Sequence, residues 1–122
     1  MKNHTEIRDI LSGIKIFEGM NAAHIDAIIP LLKPISCQVD TAIINEGGRG
    51  ESMYIIKNGS VKVTRSEKDG SDILIGTLYT GSYFGELSLI DHLPRSANVI
   101  SLENTEIYQL NKSIGKSHGI RI

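Results

Sequence analysis

Between residues 85 and 97 the chain gathers groups that could hold a small anion. Gly85 and Glu86 open the stretch, Leu87, Ser88 and Leu89 follow, and Pro94-Arg95-Ser96-Ala97 closes it. Gly85 has no side chain, so its backbone can come close to a ligand. If Glu86 to Ile90 form a helical turn, its first N–H groups lack partners and point outward with a partial positive charge, which suits a phosphate. Arg95 offers a planar fork that grips two phosphate oxygens, where a lysine offers only a point charge. Ser96 adds a hydroxyl and a backbone N–H. A phosphate would repel Glu86, so this carboxylate must face another part of the ligand. A ribose hydroxyl is the natural donor to it. One charge of each sign, nine positions apart, therefore fits a sugar phosphate better than free phosphate.

The same residues carry a family resemblance. Phe84-Gly85-Glu86-Leu87-Ser88-Leu89, followed by Pro94-Arg95-Ser96-Ala97, resembles the phosphate-binding cassette of cyclic nucleotide-binding domains. Such domains occur in the catabolite activator protein, protein kinase A regulatory subunits and cyclic nucleotide-gated channels. Upstream, Glu46-Gly47, Ser52-Met53-Tyr54-Ile55-Ile56 and Asn58-Gly59-Ser60-Val61 resemble the family's first hairpins; the likeness covers roughly residues 15–110.

That resemblance implies a ligand site built from Gly85, Glu86, Leu87, Ser88, Arg95, Ser96 and Ala97. In it Glu86 accepts from the ribose 2′-hydroxyl and Arg95 pairs with the cyclic phosphate. Backbone N–H groups of Gly85, Ser88 and Ser96 complete the cradle. A serine after the arginine, as at Ser96, accompanies cAMP in bacterial members, whereas threonine often accompanies cGMP. The resemblance thus implies cAMP as ligand, with cGMP as the alternative, and no other cofactor. It implies a sensor and regulatory domain for signal transduction that acts on a protein partner or a further copy of the chain, without catalysis.

Around the candidate site, hydropathy sets the elements that must position it. Residues 3–12 read as a short helix capped by Asn3, with Ile7, Ile10 and Leu11 on one face. Residues 13–20 look irregular, with Phe17 as an anchor. A second helix starts after Asn21, with Ala22, Ile25, Ile28, Ile29 and Leu32 at helical spacing. Pro30 should kink its last turn. From Pro34 the pattern turns to short strands at 35–39, 42–45, 53–57, 61–65, 73–79, 97–102 and 106–110. Asn58-Gly59 reads as a two-residue hairpin turn, and Asp69-Gly70 as the tip of a longer hairpin. Regular short strands of this kind argue for a β-sandwich or barrel.

The resemblance narrows the fold to a mainly β chain with flanking helices. It comprises an amino-terminal helical segment at 1–33, a β jelly roll (double-stranded β-helix) at 34–110 and a polar tail at 111–122. Family members usually continue into two further helices, the second lidding the base. The tail from Asn111 to Ile122 has two glycines and few apolar positions, so the expectation is a truncated or absent carboxyl-terminal lid helix. A partly open site then implies micromolar or weaker affinity.

Composition excludes several other roles. The chain has 122 residues, 40% of them hydrophobic, which suits one globular domain. Thirteen basic residues against 14 acidic ones leave a formal net charge of -1 and no basic excess for nucleic acid. No apolar run approaches the ~18 residues that span a bilayer, so no membrane insertion is expected. The residues from Met1 to Glu6 lack the apolar core of a secretion signal. One cysteine, Cys37, excludes an internal disulfide and fits a reducing compartment, so the expected location is cytoplasmic.

Blander readings stand beside the sharp one. Glu86 and Arg95 could form a surface ion pair worth ~0–1 kcal/mol. Ser88, Asp91 and His92 crowd too closely for a catalytic triad, with no nucleophile elbow around the serine. His4, His24, His92 and His118 are scattered, unlike the ligand pairs of a cupin-like metalloenzyme. Gly47-Gly48-Arg49-Gly50 lacks the ending of a phosphate loop and reads as a hairpin connection near the ligand. Cys37 reads as packing. Arg49, Lys57 and Arg65 give no signal beyond solvated strand faces. The competing function classes are a structural jelly roll that binds nothing and a small cupin-like enzyme. The second needs clustered metal ligands or a paired acid and base, and the sequence offers neither.

Overall fold

The computed structural model describes residues 4–13, 17–48, 52–85 and 97–111. Helix α1 (His4–Ser12) and helix α2 (Ala22–Ile28) precede a 3₁₀ turn (Ile29–Leu31). Among the described residues eight strands follow: β1 (Lys33–Cys37), β2 (Ala42–Ile44), β3 (Ser52–Asn58), β4 (Ser60–Ser66), β5 (Asp72–Tyr79), β6 (Tyr83–Phe84), β7 (Asn98–Ser101) and β8 (Thr105–Asn111). They form two four-stranded sheets, ordered β1-β8-β3-β6 and β2-β7-β4-β5. Every pairing is antiparallel. This is the expected jelly roll with helices at its amino-terminal side.

The helices form where the sequence places them. Asn21 caps α2: its Oδ1 accepts from the His24 N–H at 2.9 Å. Pro30 does more than kink the helix. The α-helix stops at Ile28 and Pro30 sits in the 3₁₀ turn, because proline has no N–H for an α-helical bond and crowds the preceding turn. Leu32 therefore lies past the helix, though still buried. The expected Asn3 cap lies outside the described residues. Arg8 clamps α1 to α2 by a two-pronged pair with Asp26, at 2.9 and 3.0 Å. Both partners are more than a third exposed, so the clamp contributes only about 0–1 kcal/mol.

Two apolar clusters lie on opposite faces of the first sheet. Ile7, Leu11, Phe17, Ile25 and Ile28 from the helical segment pack on Met53, Ile55 and Leu110. Ile56, Phe84 and Ile107 face the other way, onto Ile44, Val61 and Val99 of the second sheet. Strand β3 is covered on both faces, which explains its unbroken apolar run: neighbours Ile55 and Ile56 are 1% and 0% exposed.

One sequence expectation fails. Asn58-Gly59 is not a hairpin, because β3 belongs to the first sheet and β4 to the second. The chain crosses between sheets there. Gly59 has φ = +125°, and a Cβ on it would lie 2.5 Å from the Thr105 Oγ1. The glycine is needed for a close backbone crossing, which sequence cannot distinguish from a tight turn. Asp69-Gly70 does form a hairpin tip, between β4 and β5. There Asp69 accepts from both the N–H and the hydroxyl of Ser71, which holds its carboxyl below the usual range.

Candidate functional site

The sheet topology fixes both ends of the 85–97 stretch. At its near end, Tyr83 and Phe84 form the two-residue strand β6, which the sequence did not reveal. It pairs with β3 through Tyr54↔Phe84 and Ile55↔Tyr83, on the margin of the first sheet. Phe84 is 6% exposed and stacks on Tyr54, ring centroids 5.2 Å apart. Gly85 follows with φ = +87°, a conformation that L side chains adopt only under strain, so the sequence needs glycine there.

At the far end, half-buried Ala97 leads into β7, an interior strand of the second sheet between β2 and β4. Its ladder starts at Asn98↔Thr64. The stretch therefore runs from the margin of one sheet to the middle of the other. Gly85 and Ala97 are placed by regular structure; Glu86, Leu87, Ser88, Arg95 and Ser96 lie outside the described residues, as do Pro94, Asp91 and His92.

Polar groups gather where β7 begins. Asn98 Oδ1 accepts from the Glu46 N–H at 2.9 Å, and Glu46 Oε1 accepts from the Ser66 N–H at 2.9 Å. Glu46, Gly47 and Gly48 thus lie beside the far end of the stretch, and Gly47 takes φ = +79°. Arg49 and Gly50 are outside the described residues. Thr64, opposite Asn98, has a buried hydroxyl with no hydrogen-bond partner. In the sequence Glu46 stands out only as part of a hairpin pattern, and Asn98 does not stand out at all. No local signal marks either one, because they meet 52 residues apart in the chain.

Other candidates resolve into packing. Cys37 is 8% exposed and burial pushes its thiol up, so thiolate is scarce. Cys37, Ser36, Gln38, Asn58, Asn104, Thr105 and Glu106 line a shallow cavity of about 490 Å³. It sits at the Asn58 end of β3, whereas Gly85 continues the ladder toward Ser52 at the other end. Lys57 is more than a solvated strand residue: its ammonium lies 5.6 Å from the centre of the Tyr108 ring. His24 is exposed at the start of α2. Among the described residues, no group of three or more His, Cys, Asp or Glu could hold a metal ion, and no helix is long and apolar enough to cross a membrane.

Comparison with known proteins agrees with this geometry. Residues 34–114 match the family described as cyclic nucleotide-binding domain. A cGMP-dependent protein kinase of Eimeria tenella is 32% identical over 113 residues, which is 93% of this chain and 11% of that protein. A CRP-like cAMP-activated global transcriptional regulator of Mycobacterium tuberculosis is 28% identical over 109 residues, 89% of this chain and 49% of that one. The chain thus spans half or less of the length of these curated relatives. Among solved structures, the regulatory domain of Toxoplasma gondii PKA with cAMP superimposes with a TM-score of 0.86 at 23% identity. That alignment covers 96% of this chain and 46% of the other, and it shows shared fold.

Proposed function

This chain belongs to the cyclic nucleotide-binding domain family, and on that premise we propose that it is a regulatory module that binds cAMP through residues 85–97. The observation that carries the reading is the pairing of a positive-φ glycine, Gly85, with the acid-to-arginine spacing that follows it. The fold supports it by anchoring both ends of the stretch, at Phe84 and at Asn98. In this reading Arg95 and the backbone N–H groups of Gly85, Ser88 and Ser96 take the cyclic phosphate. Glu86 takes the ribose 2′-hydroxyl, with Leu87 and Ala97 completing the cassette. Ser96 favours cAMP over cGMP. Relatives of both kinds, a cGMP-dependent kinase and a cAMP-activated regulator, keep cGMP as the second ligand to test.

The output passes to a protein partner or a further copy of the chain, in the cytoplasm. The function is sensing, without chemistry on the ligand. Calorimetric titration of the chain with cAMP and with cGMP tests this reading. Saturable cAMP binding, tighter than cGMP, is expected. No heat with either ligand at millimolar concentration would sink it and favour a structural jelly roll.

A further inference from the structure

We propose that Glu46 is a positioning residue for the anion site: it ties the start of β7 to the end of β4 and so holds the far end of the cassette in place. This rests on the ligand reading above and names a residue outside the cassette on which that reading depends.

The ladders leave this corner loosely held. Pairing of β2 with β7 ends at Ile44↔Val99, and pairing of β4 with β7 ends at Thr64↔Asn98. Ala97, the last residue of the cassette, lies one position beyond the second of these ends and two beyond the first. Thr64 and Asn98 face each other across the last rung, yet the Thr64 hydroxyl has no partner, so no side-chain bond joins the strands there. Glu46 supplies the missing link from both its groups. Its backbone N–H goes to Asn98 Oδ1 and its carboxylate takes the Ser66 N–H, each at 2.9 Å. Ser66 in turn donates its hydroxyl to Asp72 Oδ1 at 3.1 Å, so the tie continues into β5. Glu46, two residues past the end of β2, thereby joins the start of β7 to the end of β4 around the point where the cassette rejoins the sheet.

The bonds through Glu46 are exposed, so each should be modest on its own. Their effect is on pre-organisation: a phosphate cradle held in its bound geometry loses less entropy on binding. Glutamine at this position keeps an acceptor for Ser66 and should serve nearly as well. Alanine should not.

The test uses the whole chain as wild type, Glu46→Ala, Glu46→Gln and Asn98→Ala. Ligand-free amide exchange is read by NMR at Ser66 and residues 97–101, and cAMP affinity by calorimetry. Glu46→Ala should speed exchange at Ser66. Glu46→Ala and Asn98→Ala should each weaken cAMP roughly three- to tenfold, with the pair together costing less than the sum. Glu46→Gln should stay near wild type in both readouts, which a simple loss of fold would not produce. Unchanged affinity in both alanine variants overturns the proposal. So does Glu46→Gln failing as badly as Glu46→Ala, which would point to charge. If wild type binds no cyclic nucleotide, the ligand reading fails by itself. Wild-type exchange at Ser66 in Glu46→Ala then overturns the tie independently.

Discussion

Tyr54 and Phe84 stack with their ring planes inclined by 24°, one residue ahead of the glycine that starts the crossing between the sheets. Strand β6 contributes only two residues and pairs with β3 alone among the described strands. The aromatic pair adds to the backbone bonds that hold it and the preceding turn to β3, among them Ile56 N–H to the Ser82 carbonyl at 2.8 Å. Phe84→Ala should destabilise the chain by about 3 kcal/mol or more, and Phe84→Leu by clearly less. Urea unfolding measures both. A loss below about 1 kcal/mol for the alanine variant would mean that neighbouring side chains fill the gap.

Thr64 is 6% exposed and its hydroxyl is unsatisfied. Thr64→Val keeps the shape and removes a group that gave up water for nothing. It should stabilise by up to about 1 kcal/mol, read from the same unfolding curves. A destabilised Thr64→Val would show that the hydroxyl has a partner in solution.

Gly59 and Gly70 both take positive φ, at 125° and 89°. Only Gly59 would bring a Cβ against Thr105, while Gly70 faces open space. Gly70→Ala should cost about 1–2 kcal/mol from backbone strain alone. Gly59→Ala should cost clearly more. Equal losses would mean that the sheet crossing yields to admit a methyl group.

For the ligand, Arg95→Ala should cost roughly 1.5–3 kcal/mol of cAMP binding, with Arg95→Lys recovering part of it. Lysine keeps the charge and loses the fork. Calorimetry with all three chains decides. Equal affinities would make Arg95 an ordinary surface residue.

Glu86→Gln should weaken cAMP and leave 2′-deoxy-cAMP nearly unaffected, because the deoxy ligand has no hydroxyl to donate. Comparing two proteins with two ligands isolates that coupling. A uniform loss would assign Glu86 to the fold instead.

Much of this was legible in the sequence, for physical reasons that differ by residue. Asn21 announced a helix start because capping is local, and Asp69-Gly70 announced a hairpin because its tip closes on itself. The spacing from Gly85 to Ala97 carries the proposed cassette in the sequence alone, because a ligand would be met by residue types in a fixed order, and the structure adds only its two ends. Gly59 misled, since one left-handed glycine serves a turn and a sheet crossing alike. Strand β6 was too short for any period to register. Glu46 and Asn98 were silent because their meeting is made by topology, and no pattern within either segment encodes it.

The first sheet, packed on both faces, has a mechanical consequence. It is a party wall with a core on either side, and at β3 it is one strand thick. Ile56 packs toward the second sheet with Phe84, and Ile55 packs under the helices with Leu11 and Ile28. A wall of this density has no slack to absorb a shift on one side. A shift of β6 against β3 would have to be accommodated by the packing on both faces of that strand. The helical segment and Phe84 thus share one strand as their common support, reached through the thickness of the sheet and not along the backbone.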